Sequence, residues 1–330
     1  MLKFKQVSLT RLMAVRLLLA SMLALAGSFT ALAQTKSVAV TAIVEHPALD
    51  AVRDGVLAAL QEAGYQEGRN LNWQYQSAQG NTATAGQIAR KFVGDKVDVI
   101  VAIATPTSQA AIASTRRIPI VFSAVTDPVA AQLIPAWAAS GTNVTGVSDA
   151  LELERQIELI RQLVPKATRV GMVYNPGEPN SVVVVEALKQ LLPKYGMQLV
   201  EAAAPRTVDV SSAANSLVGK VDVIYTSTDN NVVSAYEALV RVGNNRQIPL
   251  IASDTDSVAR GALAALGINY YDLGRQTGAL VVRILQGEDP GTIQPEASSN
   301  LRLFLNATAA EKQGVNLSAE LLDTATEVLR

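Results

Sequence analysis

Lys96-Val97-Asp98-Val99-Ile100 and Lys220-Val221-Asp222-Val223-Ile224 are two copies of one phrase, 124 residues apart. Each runs into a hydroxyl-rich loop, a helical stretch, and then Ile-Pro with an apolar strand: Ile118-Pro119-Ile120-Val121-Phe122 in the first copy, Ile248-Pro249-Leu250-Ile251-Ala252 in the second. Upstream the parallel continues. Ser37 to Val44 with a helix to Gly64 matches Arg169 to Tyr174 with a helix to Gly196. A self-similarity of this length marks a duplicated structural unit. Short Val/Ile runs alternate with helical spacing such as Leu49, Val52, Val56, Leu60 and Ala63, the rhythm of parallel strands with helices on both faces. The expected fold class is therefore α/β: two Rossmann-like lobes with parallel sheets.

The remaining segments connect the copies. Asn143 to Asp149 reads as the first crossover, Gly261 to Tyr271 as a strand, Leu273 to Leu285 as a helix ended by Gly287, and Leu301 to Leu305 as one more strand. Pro193 is expected to end the helix of the second copy early. Three passages between lobes follow, with lobe 1 spanning 34–148 plus about 265–290 and lobe 2 spanning 149–264 plus about 291–330.

Residues 1–33 read as an export signal. Lys3, Lys5, Arg11 and Arg16 precede the apolar run Leu17–Leu25, and Ala31-Leu32-Ala33 is a small-x-small cleavage site. Cleavage after Ala33 leaves 297 residues with 24 basic and 29 acidic side chains. That negative balance speaks against a nucleic-acid or anionic-membrane surface. The chain has no cysteine, which excludes thiol nucleophiles, thiolate metal sites and a lipidated cysteine. A diffusing monomer of the Gram-negative periplasm is expected.

Ligands of open parallel sheets bind at the carboxyl ends of the strands. Those ends carry Glu45 to Asp50, Thr105 to Ser108 and Ser123 to Pro128 in the first copy, and Tyr174 to Ser181, Thr226 to Asn230 and Ser253 to Asp256 in the second. Thr107 and Ser108 at a helix start offer amide and hydroxyl donors to a carboxylate. Asp127, Glu178, Asp229 and Asp254 offer acceptors to an ammonium group. An amino acid satisfies both, although the same residue types are ordinary helix caps. His46, the only histidine, sits in a strand-end loop and is expected to line the cleft. Tyr174, Tyr225, Tyr270 and Tyr271 sit at or near strand ends, where a ring can cover a ligand, and Asn230 follows Asp229 in the same loop.

Motifs of catalysis are missing from the sequence: it has no G-x-S-x-G, Walker loop, G-x-G-x-x-G or H-E-x-x-H. No catalytic residue, metal or cofactor is expected.

The run Thr105-Pro106-Thr107-Ser108, with Ile118 to Pro128 and Asn143-Val144-Thr145-Gly146-Val147-Ser148, resembles the ABC-transporter substrate-binding family that includes the tryptophan/tyrosine-binding proteins. The likeness extends through Glu45 to Asp50, Tyr174-Asn175, Asn180-Ser181, Asp229-Asn230, Gly267 to Gly274 and Asn306. It implies a type I periplasmic-binding architecture with three hinge crossovers, a small-molecule ligand, often an aromatic or similar amino acid, and a separate permease with its ATPase as partners. By the same resemblance Thr105, Thr107 and Ser108 grip a carboxylate, Thr126 and Asp127 stand beside them, and Asn175, Asn180, Asp229 and Asp254 complete the site. A periplasmic sensor that presents its ligand to a membrane receptor needs the same cleft and is the alternative.

Overall fold

The computed structural model describes residues 35–298 and 300–330; the expected signal over 1–33 lies outside them. β1 (Lys36–Ala42), β2 (Leu71–Ser77), β3 (Val99–Ile103), β4 (Ile120–Val125) and β5 (Val144–Ser148) form one parallel sheet in the order β2-β1-β3-β4-β5. β6 (Arg169–Tyr174), β7 (Gln198–Ala203), β8 (Val223–Thr226), β9 (Leu250–Asp254) and β10 (Ala264–Ile268) repeat that order as β7-β6-β8-β9-β10. Two Rossmann-like sheets in one chain, with helices on their faces, make the type I periplasmic-binding architecture. Every residue of β3 and of β8 is buried, as expected of strands covered on both faces.

The repeated phrase has a structural reason. Asp98 accepts a hydrogen bond from the Ser37 amide at 2.7 Å and returns its own amide to the Ser37 carbonyl, tying the start of β3 to the start of β1. Asp222 does the same for β8 and β6, accepting from the amides of Thr168 and Arg169 at 2.9 and 2.8 Å. The two prolines also correspond, since Ile100 and Ile224 each donate to the carbonyl of Pro119 or Pro249 at 2.9 Å.

Helix Pro47–Glu62 buries Leu49, Val52, Val56 and Leu60 along one side, the stripe predicted from spacing. Helix Pro179–Leu191 tightens into a 3-10 turn over Leu192–Tyr195 around Pro193, and Gly196 closes it at φ 72°, so the proline ends the regular helix as expected.

β5 ends at Ser148, where the first lobe was expected to end. At the second expected boundary, about 265, Ala264–Ile268 is held in the second sheet by β9 and by the antiparallel strand β12 (Leu301–Asn306). Beyond the third, about 291, β11 (Glu296–Ala297) pairs with Val147 and Ser148 of the first sheet. Helix Tyr270–Leu285, which starts three residues before the predicted Leu273, returns to the first lobe and packs on helix Pro47–Glu62. Glycine permits the approach: a Cβ on Gly274 would run into the Val52 carbonyl, and one on Gly55 into the Tyr271 carbonyl. β13 (Glu327–Leu329) closes the second sheet beside β12. Among the described residues no helix is long and apolar enough to cross a membrane.

Candidate functional site

The carboxyl ends of both sheets face each other across a small cavity, the place where open parallel sheets bind ligands. His46, Ala104, Thr105, Ala124 and Thr126 line it from the first lobe, and Asn180, Thr228, Asn230, Val233 and Asp254 from the second. Asp149 in the first crossing and Tyr270 after the second close its sides.

The first-lobe wall is built on strained backbone. Ala104 has φ 76° and ψ 157°, and Ala124 has φ 53°, conformations that cost an L-residue on the order of 1–3 kcal/mol and that gather at ligand sites. Ala104 turns β3 into helix Thr105–Ser114, which has no side-chain cap. Its first amides are thus free for an anion. The Thr105 hydroxyl beside them is buried and has no partner in the protein.

His46 caps helix Pro47–Glu62, its Nδ1 accepting from the Leu49 amide at 3.4 Å. Burial, and then the Arg260 charge, lower its pKa to about 4. The ring is neutral, and with Nδ1 engaged as an acceptor the proton resides on Nε2, leaving a single donor.

The second-lobe wall is a hydrogen-bond network. Glu178 Oε2 accepts from the Asn230 side chain at 2.6 Å, the Asn230 amide at 3.1 Å and Asn180 Nδ2 at 3.2 Å. Asn180 Nδ2 also lies 3.2 Å from the Thr228 carbonyl that accepts from it. This fixes Asn180 with its buried Oδ1 unpartnered. Burial, and then the neighbouring Asp229, push the Glu178 carboxyl up to about 7.

Two carboxyl groups line the cavity itself. Asp149 accepts from the Tyr270 hydroxyl at 2.7 Å and the Thr126 hydroxyl at 3.2 Å. Asp254 accepts from the Ser257 amide and hydroxyl at 2.8 and 2.7 Å. Burial raises the pKa of both, the Arg260 charge drawing Asp254 part of the way back, and no lysine or arginine lines the cavity itself. Each retains acceptor capacity. The site therefore favours a cationic group at these acids, and offers an anion the amides and hydroxyl at Thr105.

Of the residues singled out in the sequence, His46, Thr105, Thr126, Asn180, Asn230 and Asp254 meet at this cavity. The others do not line it. Thr107 donates to the carbonyls of Ile103 and Ala104, and Ser108 to those of Ala102 and Ala104, so both hydroxyls secure the strained junction. Asp127 caps its own turn through the amides of Val129 and Ala130. Tyr174 points outward to Glu201 at 2.8 Å, because the last residue of β6 alternates away from the cleft. Asn175 closes a turn on Gly177. Asp229 is consumed internally by the amides of Asn175 and Val232 and the Ser181 hydroxyl. Asp149 and Thr228 were missing from the expected set, and Tyr270 was expected there only as a ring able to cover a ligand. Each follows a strand end, so position was a signal, but the 121-residue separation of Asp149 from Tyr270 hid their pairing. Among the described residues no cluster of three His, Asp or Glu could hold a metal ion.

Comparison with known proteins agrees with this architecture. The family model described as ABC transporter substrate binding protein matches residues 37–329. A tyrosine-binding protein of Clostridioides difficile is 41% identical over 271 residues, 82% of this chain and 79% of that one. Among solved structures, an ABC domain from Streptococcus pneumonia in complex with L-Trp is 30% identical with a TM-score of 0.86, covering 90% of this chain and 100% of that chain. The ligand-free, open form of a substrate binding protein with adhesive properties from Clostridium difficile is 39% identical with a TM-score of 0.68, covering 89% and 99%. The cleft is thus that of a solute-binding protein and not of an enzyme: the chain belongs to the ABC transporter substrate binding protein family.

Proposed function

We propose that this protein binds an amino acid with an aromatic side chain, such as tyrosine or tryptophan, in the periplasm and delivers it as a monomer to an ABC permease and its ATPase for import. The observation that carries the amino-acid reading is the cavity's charge layout: two buried acids in a lining that holds no lysine or arginine, across from a helix start with free amides and the unpartnered Thr105 hydroxyl. The acids take the ammonium group and the helix start takes the carboxylate. His46, Thr105, Thr126, Asn180, Asn230 and Asp254 contact the ligand, joined by Asp149, Thr228 and Tyr270. Thr107, Ser108, Asn175 and Asp229 hold those residues in place.

Two further facts support the reading. One relative is described as a tyrosine-binding protein, and one similar structure was solved in complex with L-Trp. The backbone also follows the L-Trp complex better than the open, ligand-free form, although the open form is the more similar in sequence. The Thr126 and Thr228 hydroxyls meet across the lobes at 3.5 Å, which fits a closed cleft. Lobe 1, in this proposal, is 35–148 with the helix after Asn269 and β11, and lobe 2 is the remainder.

A thermal-shift screen of the purified protein against amino acids, small carboxylates, nucleobases and sugars tests the ligand class. A ligand at a hundred times its Kd adds about 2.7 kcal/mol of stability. Tyrosine or tryptophan is expected to raise the midpoint most. A shift with a sugar or nucleobase and with no amino acid overturns the proposal.

A further inference from the structure

Asp254 lines the cavity at 2% exposure, with no lysine or arginine in the lining beside it. A buried carboxylate stays ionised only with hydrogen bonds or a countercharge. The Ser257 amide and hydroxyl supply two bonds. The cation stands one layer further out. Arg260 closes the short helix Asp256–Ala259 that carries Ser257, its amide donating to the Ser257 carbonyl at 3.2 Å.

Three contacts fix the Arg260 guanidinium. Nη1 donates to the Val233 carbonyl at 2.6 Å. Nε and Nη2 donate to the two carboxylate oxygens of Glu237 at 2.7 and 2.8 Å, and the group lies 5.6 Å from the centre of the buried Tyr236 ring. The ion pair is polarised. The Arg260 side chain is 15% exposed and that of Glu237 57%, so water screens the anion more than the cation. Val233 belongs to helix Asn230–Ser234, and both Val233 and Asn230 line the cavity. One guanidinium thus fastens that helix from behind and leaves its positive charge beside the buried acid.

The other titratable groups near Asp254 cannot take this part. Asp256, in the same turn, is a like charge, and Asp149 is a second acid in the same lining. His46 is neutral, and Tyr225, Tyr236 and Tyr270 carry hydroxyls that burial keeps protonated. Burial raises the Asp254 pKa, and the Ser257 hydrogen bonds and then the Arg260 charge draw it back.

We propose that Arg260 is a positioning residue that sets which ligand charge the cavity accepts: from behind Val233 it supplies the countercharge that keeps Asp254 anionic for an ammonium group, while its bond to the Val233 carbonyl holds Asn230 and Val233 at the wall. This assignment rests on the amino-acid reading of the cavity.

The test compares the unmodified protein with Arg260→Gln, Arg260→Lys and Glu237→Gln. The Asp254 carboxyl is titrated by carbon NMR without ligand, and calorimetry follows L-tyrosine and desaminotyrosine, which lacks the ammonium group. Arg260→Gln is expected to move Asp254 protonation to higher pH and to weaken tyrosine by roughly 2- to 30-fold, the range for a residue that acts without touching the ligand. Desaminotyrosine loses less. Arg260→Lys restores the titration. Glu237→Gln, at the exposed end of the pair, removes the offsetting anion and moves Asp254 protonation to lower pH, a result that does not depend on an Arg260 variant folding. An Asp254 titration indifferent to both Arg260→Gln and Glu237→Gln, no rescue by lysine, or equal loss of both ligands overturns the proposal. If no amino acid binds while Asp254 still titrates with Arg260, the amino-acid reading fails and the countercharge stands; if tyrosine binds while the titration ignores Arg260, this inference fails alone.

Discussion

The first lobe meets the cleft with backbone and the second meets it with side chains. In the first, Ala104 and Ala124 are held at positive φ beside an uncapped helix start, and Thr107 and Ser108 spend their hydroxyls fastening that junction. In the second, no residue at the ends of β6, β8 or β9 has positive φ, and the wall is the network of Glu178, Asn180, Asn230 and Asp229. The same strand order thus supports two ways of preparing a site. Backbone strain aims amides, and a side-chain network aims amide and carboxyl groups. The first costs conformational energy; the second costs desolvation that its own hydrogen bonds offset.

The largest expected effect sharpens the contrast at the ligand. Asp254→Ala removes a buried acceptor for the ammonium group and is expected to weaken an amino acid by roughly 30- to 5,000-fold, the range for truncating one side of a buried, hydrogen-bonded charge pair. Calorimetry measures it, and affinity within a factor of a few of the unmodified protein would take Asp254 out of the contact set. The same chemistry sets a pH trend. Burial raises Asp149 and Asp254, so the affinity for an ammonium-bearing ligand falls as pH drops and these groups protonate. A neutral sugar would show no such loss.

The next effect separates the lobes by pH. His46 in the first lobe, lowered from 6.5 to about 4, stays neutral in the folded protein while the unfolded chain takes up a proton. Stability from His46 is therefore lost as pH falls from 6.5 through 4, by as much as about 3 kcal/mol. Glu178 in the second lobe, raised from 4.5 to about 7, has the opposite sign: its contribution is present below 4.5 and is lost as pH rises through 7. Urea unfolding across this range is expected to show the acid limb flattened by His46→Asn and the neutral limb flattened by Glu178→Gln. Identical profiles for the two variants would break the comparison.

A smaller difference concerns the repeated aspartates. Asp222 accepts two backbone bonds and pairs with Arg169 at 2.6 Å, whereas Asp98 accepts one. The Arg169 hydrogen bond holds Asp222 down to about 2. Asp222→Ala is expected to cost about 2 kcal/mol and Asp98→Ala about 1 kcal/mol, read as the shift in denaturation midpoint. The smallest effect is at the strained junction. Ala104→Gly relieves the positive φ and is expected to stabilise the protein by up to about 1 kcal/mol, while Ser227→Gly, at the corresponding end of β8, stabilises nothing.

The two-lobe plan was readable because its causes are local and repeated. Asp98 and Asp222 must hold a strand start, and Pro119 and Pro249 must lend a carbonyl, in each copy. Val/Ile runs bury on both faces of a parallel sheet wherever they occur. The strand-end loops were readable as the site for the same reason, since sheet direction fixes which ends converge. Six of the twelve residues named from those loops reach the cavity. The other six were chosen by residue type at the right strand ends, and type does not say whether a hydroxyl or carboxylate turns inward to its own backbone, as Thr107 and Asp229 do.

What the sequence determined by itself was the duplicated α/β architecture, the family, and the ends of the strands where a ligand belongs, all encoded in periodicity and short-range motifs. The tertiary structure decided the rest: that helix Tyr270–Leu285 returns to the first lobe, because Gly55 and Gly274 let two backbones touch; that Asp149 meets Tyr270 across 121 residues; and that Thr105 of one lobe and Asp254 of the other line one cavity. Those depend on how each helix is rotated about its axis and on the closure of two lobes, and neither is a property of any local stretch of sequence.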